Sequence, residues 1–589
     1  MLLAGTASAQ PVVSTVTPAP VATPQILSAA DIALYRDLFT AARAGSNTKV
    51  KTLSSRLSDP VLMGYVEAEL FLAPKSGRTS LTELTEWLQA YRDLPVADRI
   101  YRLAVSRATT TVRSNGKKVR AAVTTNIPAP QGVGSRSGGY EDAELQPPNP
   151  RDEAGRAIMP GVFADIRAGN PDAALEKLDG IRAKASTNDI AIISHRIAAS
   201  YLAESRNAEA YAVATSVADP SVPQLLWDAG FAAYRLGQWD NAITYLEALA
   251  QNADAQNALR AQGAFWSARA HMRTGDTRRV ITLLSFAAKQ NPSFYGILAE
   301  TALGIDITSG FAEAVMTPSD FNDLMRAPGA RRAVALWQMG EFPQHVGPEL
   351  NRAFVQNDER LDPAMAALAR AIGVPNVELR ASEKSAARGI MLTGLFPVPP
   401  YAPSDGYRVD HSLVLAFARI ESRFQTGATS PVGARGLMQV MPATARALGV
   451  KDVTTLNDPS VALSVGQKYI LQMLDRHNGA LLEIGGAYNA GPGAVDRWIA
   501  TKAGREDPLL FIESIPVFET RSYVKRLMLY HWLYQRRFNE QQHSLEQTAQ
   551  GQWPVYRPAR NAPILATSAP QSPAGAAVPP AAVQITNSR

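Results

Sequence analysis

Glu421 closes an apolar stretch, "SLVLAFARIES", and precedes a loop of Gly and small residues, "TGATSPVGARG". The spacing predicts a helix over residues 410–424, capped by Asp410 or Ser412. Val414, Leu415, Ala416, Phe417 and Ala418 make it apolar nearly all round, as expected of a helix in a domain core. A carboxylate at the C-terminal end of such a helix meets the negative end of its dipole. Partial desolvation raises its pKa further. Both effects keep it protonated near neutrality, the state a general acid needs. On this helix alone, a solvated glutamate beside Arg419 and Arg423 is the better reading.

Three later segments change that balance: "GLMQVMP" at 436–442, "AYNAGPGAV" at 487–495 and "ESIPVFETRSYV" at 513–524. Each has a plain structural use. Gly436 makes a turn, Pro442 suits the first turn of a helix, "NAGPG" is a helix exit, and "IP" starts a last long helix. In this order, together, they are specific. Residues 395–538 resemble the catalytic domain of soluble lytic transglycosylases of the Slt type, with a goose-lysozyme-like fold. The preceding helical region resembles that family's α-superhelical arm more loosely, including "FYGILAETALG" at 294–304.

The resemblance implies roles by motif. Glu421 is the catalytic acid/base, with Ser422 beside it. Ser430, Gln439 and Met441 contact sugar or its N-acetyl group, and Tyr488 and Asn489 lie near the cleaved bond. Glu513 is a second polar cleft residue and Tyr523 a wall residue. The implied reaction cleaves the β-1,4 bond between N-acetylmuramic acid and N-acetylglucosamine without water, leaving 1,6-anhydromuramic ends. Standard glycosidases use two carboxylates. Here one would suffice, because the attacking C6 hydroxyl is tethered to the reacting sugar. Two rivals stay open: a hydrolytic muramidase on the same fold, with Glu513 as second carboxylate, and a glycan-binding helical scaffold that does not cut.

The positioning elements follow from the rest of the chain, 589 residues that predict several domains. The fold class expected is mainly α: a solenoid of tetratricopeptide-like repeats over 29–394, then a lysozyme-like domain over 395–540. "IRAGNPDAALEKL", "YLAESRNAEAYAV" and "YRLGQWDNAITYL" put Gly169, Ala203 and Gly237 at matching points 34 residues apart, with Gly275 in a fourth copy. These small residues are expected at the turns of helical hairpins. Trp227, Phe231, Tyr234, Phe265 and Trp266 could form a binding stripe, but aromatics at helical spacing are usually core. The arm carries no acid/base constellation, so its expected role is to place the catalytic domain on a glycan strand. Residues 107–158, rich in Gly, Pro, Ser and charge, read as a disordered insertion, and 541–589 as a disordered Pro/Ala-rich tail.

Composition excludes some chemistries. With no cysteine there is no thiol nucleophile, thiolate metal site or disulfide. The 7 histidines are scattered without metal-ligand spacing, so no metal or other cofactor is expected. A net charge of +6 over so long a chain does not point to nucleic acid. It suits an acidic polymer or an anionic envelope surface; the resemblance implies peptidoglycan glycan strands as the partner, with envelope or cell-wall synthesis proteins as further partners of the repeats. "TASAQ" near the start has the form of a signal-peptidase site, so residues 1–9 read as a residual signal peptide and the compartment as periplasm. No apolar run is long enough for a transmembrane helix.

Overall fold

The computed structural model describes residues 24–74, 79–114, 117–122, 126–132, 149–217, 221–290, 292–306, 310–501 and 507–558. The signal-peptide reading at 1–9 and the tail from 559 onward lie outside them. The described residues are helical throughout, apart from one antiparallel hairpin, Thr109–Ser114 with Lys117–Ala122, and four isolated bridges. That hairpin falls in the segment expected to lack structure. So does the start of the helix Glu153–Arg167.

The chain forms two compact units, and they do not divide at 395 as expected. One unit joins the N-terminal residues to 314–377. Its first helix, Ala29–Arg43, is started by Ser28, whose hydroxyl accepts from the Asp31 amide at 3.0 Å. The amides of Ile26 and Leu27 donate to Gln338 Oε1 at 2.9 and 3.0 Å, tying the beginning of the chain to a helix far along it. Arg332 and the Tyr65 hydroxyl both reach the buried Glu349, each at 2.7 Å, and Arg332 also holds Asp93. A buried carboxylate persists only with such partners.

The second unit joins 137–313 to 378–569. Its first part is the run of helical hairpins expected from the repeats. The turns after Arg167, Ala203 and Arg235 are closed by Gly169, Ser205 and Gly237, at φ of 68°, 62° and 73°. The Ala203 expectation therefore needs correcting. Ala203 is the last helical residue, and Ser205, two positions later, takes the left-handed conformation. Gly275 does so at 84° in the fourth copy. Close helix packing rests on small residues: a Cβ at Gly230 would come within 2.6 Å of Leu246 Cγ. Trp227, Phe231, Tyr234, Phe265 and Trp266 are all buried, and Trp266 meets Phe231 edge-on with centroids 5.2 Å apart. They are core rather than a binding stripe.

The second part holds the motifs. The helix His411–Ser422 is buried along most of its length and packs against the long helix Phe518–Arg537. Pro459–Arg476 and Leu481–Ala490 complete the surround. The sequence expected a structureless tail from 541, but residues up to 558 belong to the fold. The helix His543–Ala549 buries Leu545, and Ser544 accepts from Trp532 Nε1 at 2.9 Å. Beyond it, Pro554 O accepts from the Leu481 amide at 3.0 Å, and the Tyr556 amide donates to Gly479 O at 2.8 Å. Leu545, Trp553 and Tyr556 supply its apolar anchors.

Candidate active site

Glu421 is the penultimate residue of its helix, as the apolar pattern predicts. The helix stops sharply because Arg423 and Phe424 both take positive φ, 51° and 63°. Two non-glycine residues in that region are costly, of order 1–3 kcal/mol each. Tertiary contacts hold them: Arg423 pairs with Glu383, and Phe424 is buried. The reversal frees the space beyond Glu421 for the loop that follows.

Half-buried, Glu421 accepts a 2.6 Å hydrogen bond on Oε1 from the Tyr523 hydroxyl. Burial pushes its carboxyl up from the ordinary 4.5 to about 7, outweighing the opposing effects of the Tyr523 bond and the Arg526 charge. The negative charge of Glu519 adds to the rise. Tyr523 and Tyr488 are themselves held neutral, pushed well above the usual phenol value first by burial and then by the Glu421 charge. The site thus presents one acid that titrates near neutrality, set among neutral hydroxyls.

The other expected residues fall at different distances from this centre. Tyr488 packs on Phe417, one helical turn before Glu421, with centroids 4.5 Å apart, and donates to Met438 O at 2.8 Å. Asn489 Oδ1 accepts from Thr520 Oγ1 at 2.6 Å. Gln439 sits at φ 43°, and its Nε2 donates to Gly436 O at 2.9 Å and Ala428 O at 3.2 Å. Gly436 is irreplaceable there, since a Cβ would lie 2.0 Å from Leu456 O. Ser430 Oγ accepts from the Ala434 amide at 3.0 Å and so shapes the loop. Met441 is 41% exposed at the loop's end, free to meet a ligand.

Two expected cleft residues are not in the cleft. Ser422 is buried, and its hydroxyl donates back to Ala418 O at 3.1 Å. Neighbours on a helix point about 100° apart, so adjacency in "ES" does not give a shared face. Glu513 is also buried. It accepts from the Tyr295 hydroxyl at 2.6 Å and from Lys525 Nζ at 3.0 Å, with Arg521 Nε 3.9 Å away. It is an internal ion pair that binds the helical hairpins to the long helix, not a wall of the cleft.

The carboxylate whose charge acts on Glu421 is Glu519, exposed and six residues after Glu513. Sequence reasoning missed it, although it lies within that motif, and missed Arg526, two residues beyond the motif's end. Glu519, Tyr523 and Arg526 follow the i, i+4, i+7 spacing that lines one face of a helix. Tyr523 marks that face as the one turned to Glu421.

The family profile described as Transglycosylase SLT domain matches residues 401–511. The soluble lytic murein transglycosylase of Escherichia coli K12 is 38% identical over 138 residues, 22% of this chain and 21% of that protein. The transglycosylase of Enterobacteria phage PRD1 is 40% identical over 120 residues, 20% of this chain and 44% of the phage protein. The matched stretch thus spans about a fifth of the length of the E. coli protein. Solved structures extend the likeness in fold. An inactive mutant of the lytic transglycosylase Slt from Pseudomonas aeruginosa superposes with a TM-score of 0.51 at 22% identity, covering 86% of this chain and 73% of that one. The 70-kDa soluble lytic transglycosylase of E. coli gives 0.50 at 16%, covering 90% and 99%. The chain shares their fold, and its residues 401–511 form a domain of the transglycosylase SLT family.

Proposed function

We propose that the chain is a peptidoglycan lytic transglycosylase, a carbon–oxygen lyase acting on glycan strands in the periplasm. The observation that carries this reading is Glu421 itself: half-buried, raised to about 7, and hydrogen-bonded by one neutral hydroxyl. In the first step Glu421 protonates the oxygen between N-acetylmuramic acid and N-acetylglucosamine, and the C1–O bond breaks. The acetamido group of the muramyl sugar, oriented by Gln439 and Tyr488, supports the positive charge at C1. Glu421, now anionic and stabilised by the Tyr523 hydroxyl, takes the proton of the C6 hydroxyl of the same sugar. That oxygen closes on C1 and forms the 1,6-anhydro ring. The proton given in the first step is recovered in the second, so one residue serves as both acid and base.

No helix among the described residues is long and apolar enough to cross a membrane. The run of helical hairpins would place the site on a long polymer, and envelope proteins would be its further partners. One observation favours a second reading. The charge of Glu519 acts on Glu421, and a second carboxylate that activates a water would make the protein a muramidase. The test is digestion of purified sacculi followed by mass analysis of the released sugars. Anhydromuramyl ends are expected. Reducing ends would establish the hydrolase, and no release from wild-type protein would sink both enzyme readings.

A further inference from the structure

Among the described residues Arg526 is a cation without a hydrogen-bond or ion-pair partner. It lies on the long helix one turn beyond Tyr523, on the face turned to Glu421, and its charge acts on that carboxyl. The side chain is partly buried, and its Nε is wholly inaccessible with no acceptor. Among the described residues no hydrogen bond or ion pair engages it. The neighbouring cations of the same helix differ in this respect. Arg521 and Lys525 converge on Glu513, and Arg536 holds Glu300 at 2.8 Å.

A partly desolvated guanidinium is costly to leave unpaired. The protein offers it little. Glu421 is already engaged by Tyr523, and burial favours its neutral form. Glu519 is seven positions back, about 10 Å along the helix axis at 1.5 Å per residue. A guanidinium presents a fork of donors matched to a carboxylate. What would complete the site is therefore a carboxylate that arrives with the ligand.

We infer that Arg526 is a specificity-determining residue that binds a carboxylate of the substrate strand beside the bond that Glu421 protonates. This rests on the glycan-strand reading above. In such a strand the carboxylate has two sources. The lactyl group of the muramyl sugar carries one where the stem peptide has been removed, and the stem peptide carries its own where it remains. A strand with free lactyl groups would be supplied by an amide hydrolysis.

The test measures binding to the full chain carrying Glu421→Gln, so that nothing is cleaved, with and without Arg526→Gln. Three probes are titrated by calorimetry: N-acetylglucosamine oligomers, which have no carboxylate; muramyl strands stripped of peptide; and strands with peptides intact. A charge-assisted hydrogen bond contributes about 1.5–3 kcal/mol, so loss of Arg526 should weaken binding of a carboxylate-bearing strand by roughly 10- to 100-fold. Binding of the neutral oligomer should not change. A deficit on stripped strands identifies the lactyl carboxylate, and one confined to peptide-bearing strands identifies the stem. Arg526→Lys should recover part of the loss, since it keeps the charge and loses the fork. Equal weakening on all three probes, or none on any, overturns the inference. Because binding is read without turnover, a failure of the lyase chemistry shows separately, as the absence of cleavage by wild-type protein.

Discussion

Glu421 and Glu513 make a controlled comparison within one molecule. Each accepts a 2.6 Å hydrogen bond from a tyrosine hydroxyl, Tyr523 in one case and Tyr295 in the other. Each is reached from the same helix, Phe518–Arg537, whose residues 523 and 525 point to nearly opposite sides. What differs is the counter-charge. Glu513 has Lys525 at 3.0 Å and Arg521 nearby, so its charge is balanced where it lies. Among the described residues no ion pair reaches Glu421, and burial raises its carboxyl to about 7. The same residue type is a structural tie at one site and, in the proposed mechanism, the proton donor at the other. The lesson is that a tyrosine bond to a carboxylate says little; the compensating charge decides the role.

The largest effect should come from Glu421→Gln. General acid/base catalysis contributes typically 10²–10⁴-fold, and here one group serves both steps, so turnover should fall by at least roughly 10³-fold. The fold should survive, as checked by circular dichroism. Wild-type-like release of sugar from this variant would break the comparison outright.

Glu513→Gln should do the opposite. It leaves Lys525 buried without its counter-charge, at a cost of about 3–5 kcal/mol. The melting temperature should drop by the order of 10 °C, with activity at low temperature largely kept. A truncation beginning at Leu395 should be worse, since it removes Tyr295, Gln262 and Arg269, the partners of Glu513, Lys525 and Asp507. The placement role expected for the repeats is therefore mixed with a folding role, and the truncated domain should fail to give a cooperative melting transition. A truncated domain that melts cooperatively and cleaves oligomers would show that these ties are dispensable.

Stability and pH sharpen the contrast. A carboxyl raised from 4.5 to about 7 on folding contributes stability that is complete below its unfolded value and is lost as pH rises through about 7. Glu421→Gln removes that loss. Its melting temperature should exceed that of wild type at pH 8 and match it near pH 4. A gain of about 1 kcal/mol would appear as roughly 2–4 °C. No difference at pH 8 would mean that Glu421 is an ordinary, ionised carboxylate.

The smallest effect belongs to Glu519→Gln. Its negative charge helps to hold the Glu421 proton, so its removal lowers the Glu421 pKa. The alkaline limb of the pH–rate curve should move to lower pH, with the plateau rate little changed. A collapse of the rate as deep as that of Glu421→Gln would favour the two-carboxylate hydrolase.

Much of this was legible in the residues. The apolar run before Glu421 places it on a buried helix and at its end, because burial all round a helix needs an unbroken apolar pattern. The repeat of small residues announces helical hairpins, because only certain residues tolerate the turn. Even there the left-handed position moved from Ala203 to Ser205, since matching letters do not reveal where hydrogen bonding ends. The order of the four motifs was enough to suggest the family. Other features depend on which face of which helix meets which neighbour. Glu513 and Glu519 sit six positions apart in one motif, and nothing local says which is exposed. The packing of Tyr295 and Lys525 around Glu513 decides it, through residues more than 200 positions distant in one case. The value near 7 at Glu421 is likewise a property of the surround. Periodicity and turn chemistry are local and can be read along the chain, whereas desolvation and charge compensation are sums over atoms that only folding brings together.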